Sequence, residues 1–243
     1  MLLRRIPSLM NWTALIDGCL LAGIGAMLLR KTLDDQLPLY IHPRYTSLVL
    51  ATAVLLIVIG LFRLWQAGEQ PQPLRGRLNM YGLLLAPLLL GVLIPAKPAG
   101  SALVDLQQMN NVGRGYRGVT TFVGDDSSRW TLLDWLFARY TLTTEEATGK
   151  PVDVVGFVYR DPERPATADE FYVVRYTLAC CVADRTSVSL PVQWDQAAAL
   201  PNDQWVRVIG TLDVRSSDGP PEWIVTEARV EPVAQPSEPY LYP

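Results

Sequence analysis

Uncharged runs long enough to cross a bilayer occupy much of the first hundred residues and constrain the fold most. Tyr45 to Phe62 holds 18 consecutive uncharged residues, which as an α-helix span about 27 Å, close to the roughly 30 Å hydrocarbon core of a membrane. Leu78 to Ala96 holds 19 more, with two prolines that are expected to kink and end the helix. A further run, Ile6 to Leu29, is interrupted only by Asp17 and is flanked by basic residues. We therefore predict three transmembrane helices, at residues 9–29, 45–65 and 78–96.

The first of these runs has a second interpretation, because a basic start followed by an apolar stretch is also typical of a cleaved signal peptide. The length of the run and the presence of Asp17 within it favour a retained helix. An ionisable side chain inside a span is costly and marks a candidate functional residue. If the helix starts near Trp12, Asp17 instead lies close to the membrane interface, and the sequence leaves both interpretations open.

Charge divides the chain near residue 100. Residues 1–99 contain nine Lys and Arg against four Asp and Glu, whereas residues 100–243 contain twelve against twenty. The mean hydropathy of +0.16 therefore averages an apolar basic part and a more polar acidic part. Positive charges in the short loops number five on one side of the spans and three on the other. This bias predicts a cytoplasmic N-terminus and, after three spans, an extracytoplasmic C-terminal domain.

The acidic part is predicted to form five strands, because runs rich in β-branched and aromatic residues alternate with turn residues. The predicted strands are residues 152–159, 171–181, 187–194, 205–214 and 223–230. Gly156 and Gly210 interrupt two of them at equivalent places, as expected where a small barrel bends or bulges. With a short helical insert at 196–200, this order predicts an OB-fold-like five-stranded β-barrel, although a sandwich or another small barrel has the same alternation.

The remaining segments complete the predicted domain organisation. Residues 1–98 form the transmembrane region, and residues 99–130, rich in Gly, Ser, Asn and Asp, form a linker with a short strand near 118–123. Apolar residues at helical spacing predict a helix from Trp130 to Tyr140, which opens the barrel domain at 131–232. The proline-rich end, residues 233–243, is predicted to be disordered.

The adjacent cysteines Cys180 and Cys181, followed by Asp184, are the most unusual group in the chain. Adjacent side chains of a regular strand point to opposite faces, so both thiols serve one site only if the backbone bends there. Two thiolates and a carboxylate favour a soft cation, with Zn(II) the leading candidate and Cu(I) the second. Three other interpretations of the cysteines stay open: two small buried hydrophobic residues, a vicinal disulfide, or a thiol redox centre.

His42, the only histidine, precedes the second predicted span and falls on the same predicted side of the membrane as the cysteines. Because imidazole is a common metal ligand, His42 is the fourth candidate ligand; the alternative is a solvated or packing side chain at the interface. The sequence lacks the familiar hydrolase, phosphate-loop and dinucleotide motifs, which favours a protein that is not an enzyme. The acidic charge of the C-terminal part disfavours nucleic-acid binding.

Five segments of the chain carry a family resemblance. They are YIHPR, IPAKP, GKPVDVVGFVYRDPE, RYTLACCVADRTSVSLPV and QWVRVIGTL, in that order. Together they resemble the YcgQ-like family of bacterial membrane proteins, which are described as permease subunits with a C-terminal domain of unknown function. The resemblance implies an accessory role beside a YcgR-like or YraQ-like permease in the bacterial plasma (inner) membrane, and a link to metal homeostasis. It supplies no active site, and the positions similar to the family are Cys180, Cys181, Asp184 and His42.

From these observations we expect a non-enzymatic accessory subunit of a membrane permease that captures a thiophilic cation such as zinc outside the cytoplasm. The alternative is a membrane-anchored, extracytoplasmic structural or interaction domain with no metal site. A membrane-tethered thiol oxidoreductase is a further alternative.

Overall fold

The computed structural model describes residues 11–66, 78–111, 126–161, 169–215 and 221–242. The chain divides between Lys97 and Pro98 into two compact units, a helical unit and a barrel unit. The short strand predicted near 118–123 lies outside the described residues.

Three α-helices account for most of the helical unit. They are α1 (Trp12–Leu33), α2 (Thr46–Trp65) and α3 (Leu78–Leu93). The side-chain oxygen of Asn11 accepts a hydrogen bond from the amide of Ala14 and so caps the start of α1. Arg30 and Lys31 lie in the last turn of α1, where positive charge offsets the helix dipole. Two 3-10 turns, Leu37–Leu39 and Pro43–Tyr45, connect α1 to α2.

Small residues allow α1 and α2 to pack closely. A methyl group at Gly60 would lie 2.6 Å from the amide nitrogen of Ala22, and one at Gly25 would lie 2.7 Å from the carbonyl oxygen of Ala53. Larger side chains at either glycine would therefore force the two backbones apart. Elsewhere on the helices large apolar side chains are exposed, as expected of surfaces that face lipid: Leu48, Leu55, Val58, Leu61, Leu83 and Leu90.

Among the described residues, two helices are long and apolar enough to cross a membrane, namely α1, with 22 residues, and the run Pro43–Trp65, with 23. They overlap the predicted spans 9–29 and 45–65, although α1 continues to Leu33 and residues 9 and 10 lie outside the described residues. At the third predicted span, 78–96, the structure has an apolar helix of 16 residues, about 24 Å long and so shorter than the hydrocarbon core. The helix stops at Leu93, two residues before Pro95, because a residue preceding proline disfavours helical backbone. Three helices of spanning length are therefore not shown among the described residues.

A closed five-stranded barrel forms the core of the barrel unit, which confirms the predicted barrel. Its strands are β1 (Pro151–Tyr159), β2 (Glu170–Thr177), β3 (Thr186–Gln193), β4 (Trp205–Arg215) and β5 (Glu222–Pro232). They pair in the cyclic order β1, β2, β3, β5, β4 and back to β1. Every pair is antiparallel except β3 and β5, which run parallel.

Gly156 and Gly210 lie where the neighbouring strand leaves no room for a side chain. A methyl group at Gly156 would lie 2.6 Å from the carbonyl oxygen of Val174, and one at Gly210 would lie 2.7 Å from that of Thr226. The pairing of β4 with β5 shifts register between Ile209 and Thr211, which brackets Gly210. The irregularity predicted at this glycine is therefore present.

A short helix, α4 (Leu132–Ala138), packs against the barrel interior, as the helical spacing predicts. Thr131 and Asp134 form a capping box that starts it. Trp135 is fully buried and meets the rings of Trp130 and Trp223 edge-on. The predicted helix extended to Tyr140, but that side chain is 75% exposed and follows the last turn. A second short helix, α5 (Thr144–Ala147), comes before β1, and the predicted insert at 196–200 is a 3-10 turn over Ala197–Ala199.

A second apolar cluster covers one outer face of the barrel. It includes Ala99, Phe157, Tyr176, Leu178 and Tyr240. The hydroxyl of Tyr240 accepts a hydrogen bond of 2.8 Å from the amide of Ala99, and the hydroxyl of Tyr176 donates one of 2.9 Å to the carbonyl of Gly100. The start of the barrel unit and its end thus meet over the aromatic rings of β1 and β2.

Two predictions about the segments outside the strands need correction. The tail 233–243 is not disordered throughout, because Tyr240–Leu241 forms a short strand, β6, parallel to β2 at Tyr176 and Thr177. The predicted 99–130 linker is described at residues 99–111 and 126–130. Residues 99–111 pack on the barrel, where Asn110 bonds to Ser189 and Ser101 to Asp203, and Trp130 is buried in the barrel core. The physical reason is the same for both, since the outward-facing aromatic rings must be covered and these segments cover them.

Candidate metal centre

The turn between β2 and β3 contains three of the four predicted ligands. β2 ends at Thr177, and Leu178, which is fully buried, donates its amide to the carbonyl of Leu241 at 3.1 Å. The chain then leaves the sheet, and Val182–Asp184 forms a single 3-10 turn before β3 begins at Thr186. The cysteines therefore lie in a turn that is fastened to β6 on one side and to β3 on the other.

Asp184 holds this turn together through its carboxylate. Oδ1 accepts a hydrogen bond of 3.1 Å from the amide of Ala179. Oδ2 accepts bonds of 2.7 Å from the amide of Cys180 and 3.3 Å from that of Cys181. In return, the Asp184 amide donates to the carbonyl of Cys181 at 3.0 Å. One acidic side chain thus satisfies three consecutive amides that would otherwise need sheet partners.

This arrangement corrects the prediction that the second strand continues to residue 181. Because the amides of Ala179, Cys180 and Cys181 bond to Asp184, they are not available to pair with a neighbouring strand. The side chains of the two cysteines consequently do not alternate between opposite faces of a sheet. The bend that a shared site requires is therefore present, within a side-chain-capped turn.

The two thiols lie side by side on the surface. Their sulfur atoms are 3.7 Å apart, and both cysteines are free thiols, Cys180 exposed and Cys181 half-buried. The two sulfurs and one oxygen of Asp184 all lie within 4.8 Å of one another. In the described part of the chain, this is the group of Cys, His, Asp and Glu side chains that is close enough to share a cation.

The electrostatics of the turn favour a protonated thiol beside an ionised acid. A hydrogen bond with Asp184, and then one with Cys181, raises the pKa of the Cys180 thiol to about 11. Partial burial acts to raise the pKa of Asp184, but hydrogen bonds from the Cys180 thiol and the three amides outweigh it and leave the pKa lowered. A cation that binds both sulfurs must therefore displace a proton from Cys180 at neutral pH.

His42 lies in the helical unit, at the start of the 3-10 turn before α2. Its Nδ1 accepts a hydrogen bond from the amide of Arg44, and its Nε2 is 3.1 Å from the Arg44 guanidinium. Its ring also contacts that of Tyr45 edge-on. These contacts lie within its own turn, and the role of His42 as a fourth ligand stays a prediction.

The sequence did not indicate how the turn is supported. Leu241 supplies the carbonyl that fixes Leu178, and Arg175 donates to the carbonyls of Glu238 and Pro239 in the same tail segment. The available signal was Asp184 itself, since an acid three residues after the residue that starts a helical turn is a recognised capping pattern. That signal predicts a structural role for Asp184 as well as the ligand role considered from the sequence.

Comparison with known families covers both units. The DUF1980 N-terminal domain matches residues 16–110, and the DUF1980 C-terminal domain matches residues 132–243, which include the cysteine turn and β6. No curated protein and no solved structure matches the chain. The resemblance to YcgQ-like proteins is compatible with these matches. With its N-terminal and C-terminal domains both present in order, the chain belongs to the DUF1980 family, which has no assigned activity.

Proposed function

We propose that this protein is a membrane-anchored, non-enzymatic accessory subunit of a permease and that it captures a thiophilic cation such as zinc at Cys180 and Cys181. The observation that carries the proposal is the turn itself. Two thiols and a carboxylate lie within 4.8 Å of one another, with Cys180 exposed and the other two side chains half-buried, and thiolates are preferred ligands of soft cations.

The proposed membrane arrangement has three spans, a cytoplasmic N-terminus and an extracytoplasmic barrel. The spanning lengths of α1 and Pro43–Trp65 support two of the spans, and the apolar surface of α3 is compatible with a third. The bias of positive loop charges supports the orientation. The proposed partner is a YcgR-like or YraQ-like permease in the same membrane, as the family resemblance implies.

We also infer that the barrel is an OB-fold. The cyclic strand order β1, β2, β3, β5, β4 with a parallel β3 and β5 pair supports this inference. Nucleic acid, a frequent ligand of that fold, is a poor candidate here because the C-terminal part is net acidic. The barrel is instead a rigid support for the cysteine turn.

The electrostatics of the turn disfavour thiol redox catalysis at neutral pH. Reactive thiols have a lowered pKa that makes the thiolate available at neutral pH, whereas hydrogen bonding raises the pKa of Cys180 to about 11. A soft cation competes for such a sulfur with a proton, and its bond to sulfur repays the cost of deprotonation.

The proposal is tested on the full chain purified in detergent, with Cys19→Ser as the background because Cys19 lies in α1, away from the turn in sequence. Reduced, metal-free protein is loaded with Zn(II) in one sample and with Cu(I) in another, and bound metal per chain is measured after gel filtration. We expect one cation per chain in this background and none in Cys180→Ser/Cys181→Ser. A background protein that retains neither metal, or a double variant that retains the same amount, would contradict the proposal.

A further inference from the structure

The donor atoms of the turn differ in how much of their bonding capacity is already used. A carboxylate oxygen has two lone pairs, and both lone pairs of Asp184 Oδ2 are directed to amides, those of Cys180 and Cys181. Oδ1 accepts one further amide bond, from Ala179, and the Cys180 thiol also hydrogen-bonds to this carboxylate. Withdrawing Asp184 to bind a cation would release the amides that shape the turn. Asp184 is thus a positioning residue, and the two sulfurs are the available ligands.

The sulfur spacing is that of two ligands on one tetrahedral ion. A Zn–S bond of about 2.3 Å gives a tetrahedron with an edge of about 3.8 Å, and the two sulfurs lie 3.7 Å apart. Both thiolates can therefore bind one zinc ion at nearly their present separation. If an ion were instead bound by two sulfurs on opposite sides, in a straight line, the sulfurs would have to move apart to about twice the metal–sulfur bond length.

This inference rests on the proposed function. We infer that the turn is a zinc site with only two protein ligands, Cys180 and Cys181. The other two coordination positions of the ion stay open to exchangeable ligands. Structural zinc sites have four protein ligands and are closed, whereas sites with open positions exchange or activate what occupies them. The exposure of Cys180 leaves the ion accessible from solvent. Such a site suits a carrier, because an acceptor can bind the ion at the open positions before the two thiolates release it.

Cobalt(II) is a suitable probe, because it occupies tetrahedral zinc sites and its absorption reports both thiolate number and ligand exchange. Full-length Cys19→Ser protein is titrated anaerobically with Co(II), and imidazole is then added. We expect one cobalt per chain and a sulfur-to-cobalt band that loses about half its intensity in Cys180→Ser or Cys181→Ser. Imidazole should shift the ligand-field bands as it enters the open positions.

The Asp184→Asn variant separates positioning from ligation. If Asp184 only shapes the turn, this variant binds cobalt more weakly but gives the same ligand-field spectrum at saturation. A changed spectrum at saturation would make Asp184 a ligand and overturn the inference. A spectrum of four thiolates with one cobalt per two chains would overturn it as well, because a second copy would then complete the site, and so would bands that imidazole leaves unmoved. In each of these three cases the proposed capture of a cation still stands, whereas it fails if the protein retains no metal at all.

Discussion

At the scale of single residues, Asp184 determines the shape of the candidate site. Its carboxylate accepts hydrogen bonds from the amides of Ala179, Cys180 and Cys181. These bonds replace strand pairing after β2 and hold the turn in which the two sulfurs lie 3.7 Å apart. The same acid raises the pKa of the Cys180 thiol, which favours its protonated form at neutral pH.

Replacing Asp184 by alanine should therefore loosen the turn and weaken cation binding together. Hydrogen bonds to a charged group contribute about 1.5–3 kcal/mol each when buried, and solvent replaces part of that here, so we expect a loss of about 2 kcal/mol in unfolding free energy. Guanidinium unfolding of the full chain, followed by near-ultraviolet circular dichroism, measures it. Asp195→Ala, at an exposed acid after β3, is the matched control. Equal stability of the two variants would refute this role for Asp184.

The residues of the turn were partly predictable from sequence. Two adjacent cysteines followed by an acid are easily recognised in the sequence, and thiolate side chains indicate a soft cation. The capping role of Asp184 could not be predicted from the sequence pattern, because it depends on three backbone amides turning toward one carboxylate. Strand periodicity, which extended from Phe171 to Cys181, favoured continued sheet pairing instead. The strand ends earlier because the Asp184 carboxylate binds these amides in place of a neighbouring strand.

At the scale of elements, five strands were predictable because each buries a face of β-branched residues in the barrel. Gly156 and Gly210 also carried a readable signal, since each allows a neighbouring backbone to approach within contact distance. β6 was not predictable, because two residues in a proline-rich tail carry no periodicity. Its position depends on a tertiary contact, the cover that Tyr240 provides for the aromatic face of β1 and β2.

Tyr240 should therefore stabilise the barrel well beyond what its place in the tail suggests. Its side chain is 2% exposed, so Tyr240→Ala should cost about 3 kcal/mol in unfolding free energy through the lost ring. Tyr240→Phe keeps the ring but removes the acceptor for the amide of Ala99, and should cost about 1 kcal/mol. Chemical unfolding of the full chain measures both.

Glu238→Gln is the control for this series, because Arg175 bonds to the backbone carbonyl of Glu238, which the substitution retains. Its stability should match that of the unmodified chain. If Tyr240→Ala proved as stable as Glu238→Gln, the tail would not be a structural part of the barrel. The packing predicts that Tyr240→Ala loses the most unfolding free energy, that Tyr240→Phe loses less and that Glu238→Gln loses none.

At the scale of the whole molecule, the charge division near residue 100 corresponds to the division into two units between Lys97 and Pro98. The N-terminal family domain, at 16–110, extends past that division into the segment that packs on the barrel. The first residues of the barrel unit, 99–111, are therefore part of the barrel's own cover. Composition could place the division, but the docking of residues 99–111 depends on contacts with β2 and β3 that composition does not encode.

The proposed topology makes the native cysteines reporters of sidedness. If the barrel lies outside the cytoplasm, a membrane-impermeant maleimide added to intact spheroplasts, after treatment with a chelator, should label Cys180, whose side chain is exposed. The label should persist in Cys19→Ser and disappear in Cys180→Ser/Cys181→Ser. Gln66→Cys, placed at the end of α2 in a chain without its native cysteines, should be labelled only after lysis, because the predicted cytoplasmic loop follows it. Labelling of Cys180 only after lysis would place the barrel in the cytoplasm, where the reducing environment would keep both thiols free without a cation.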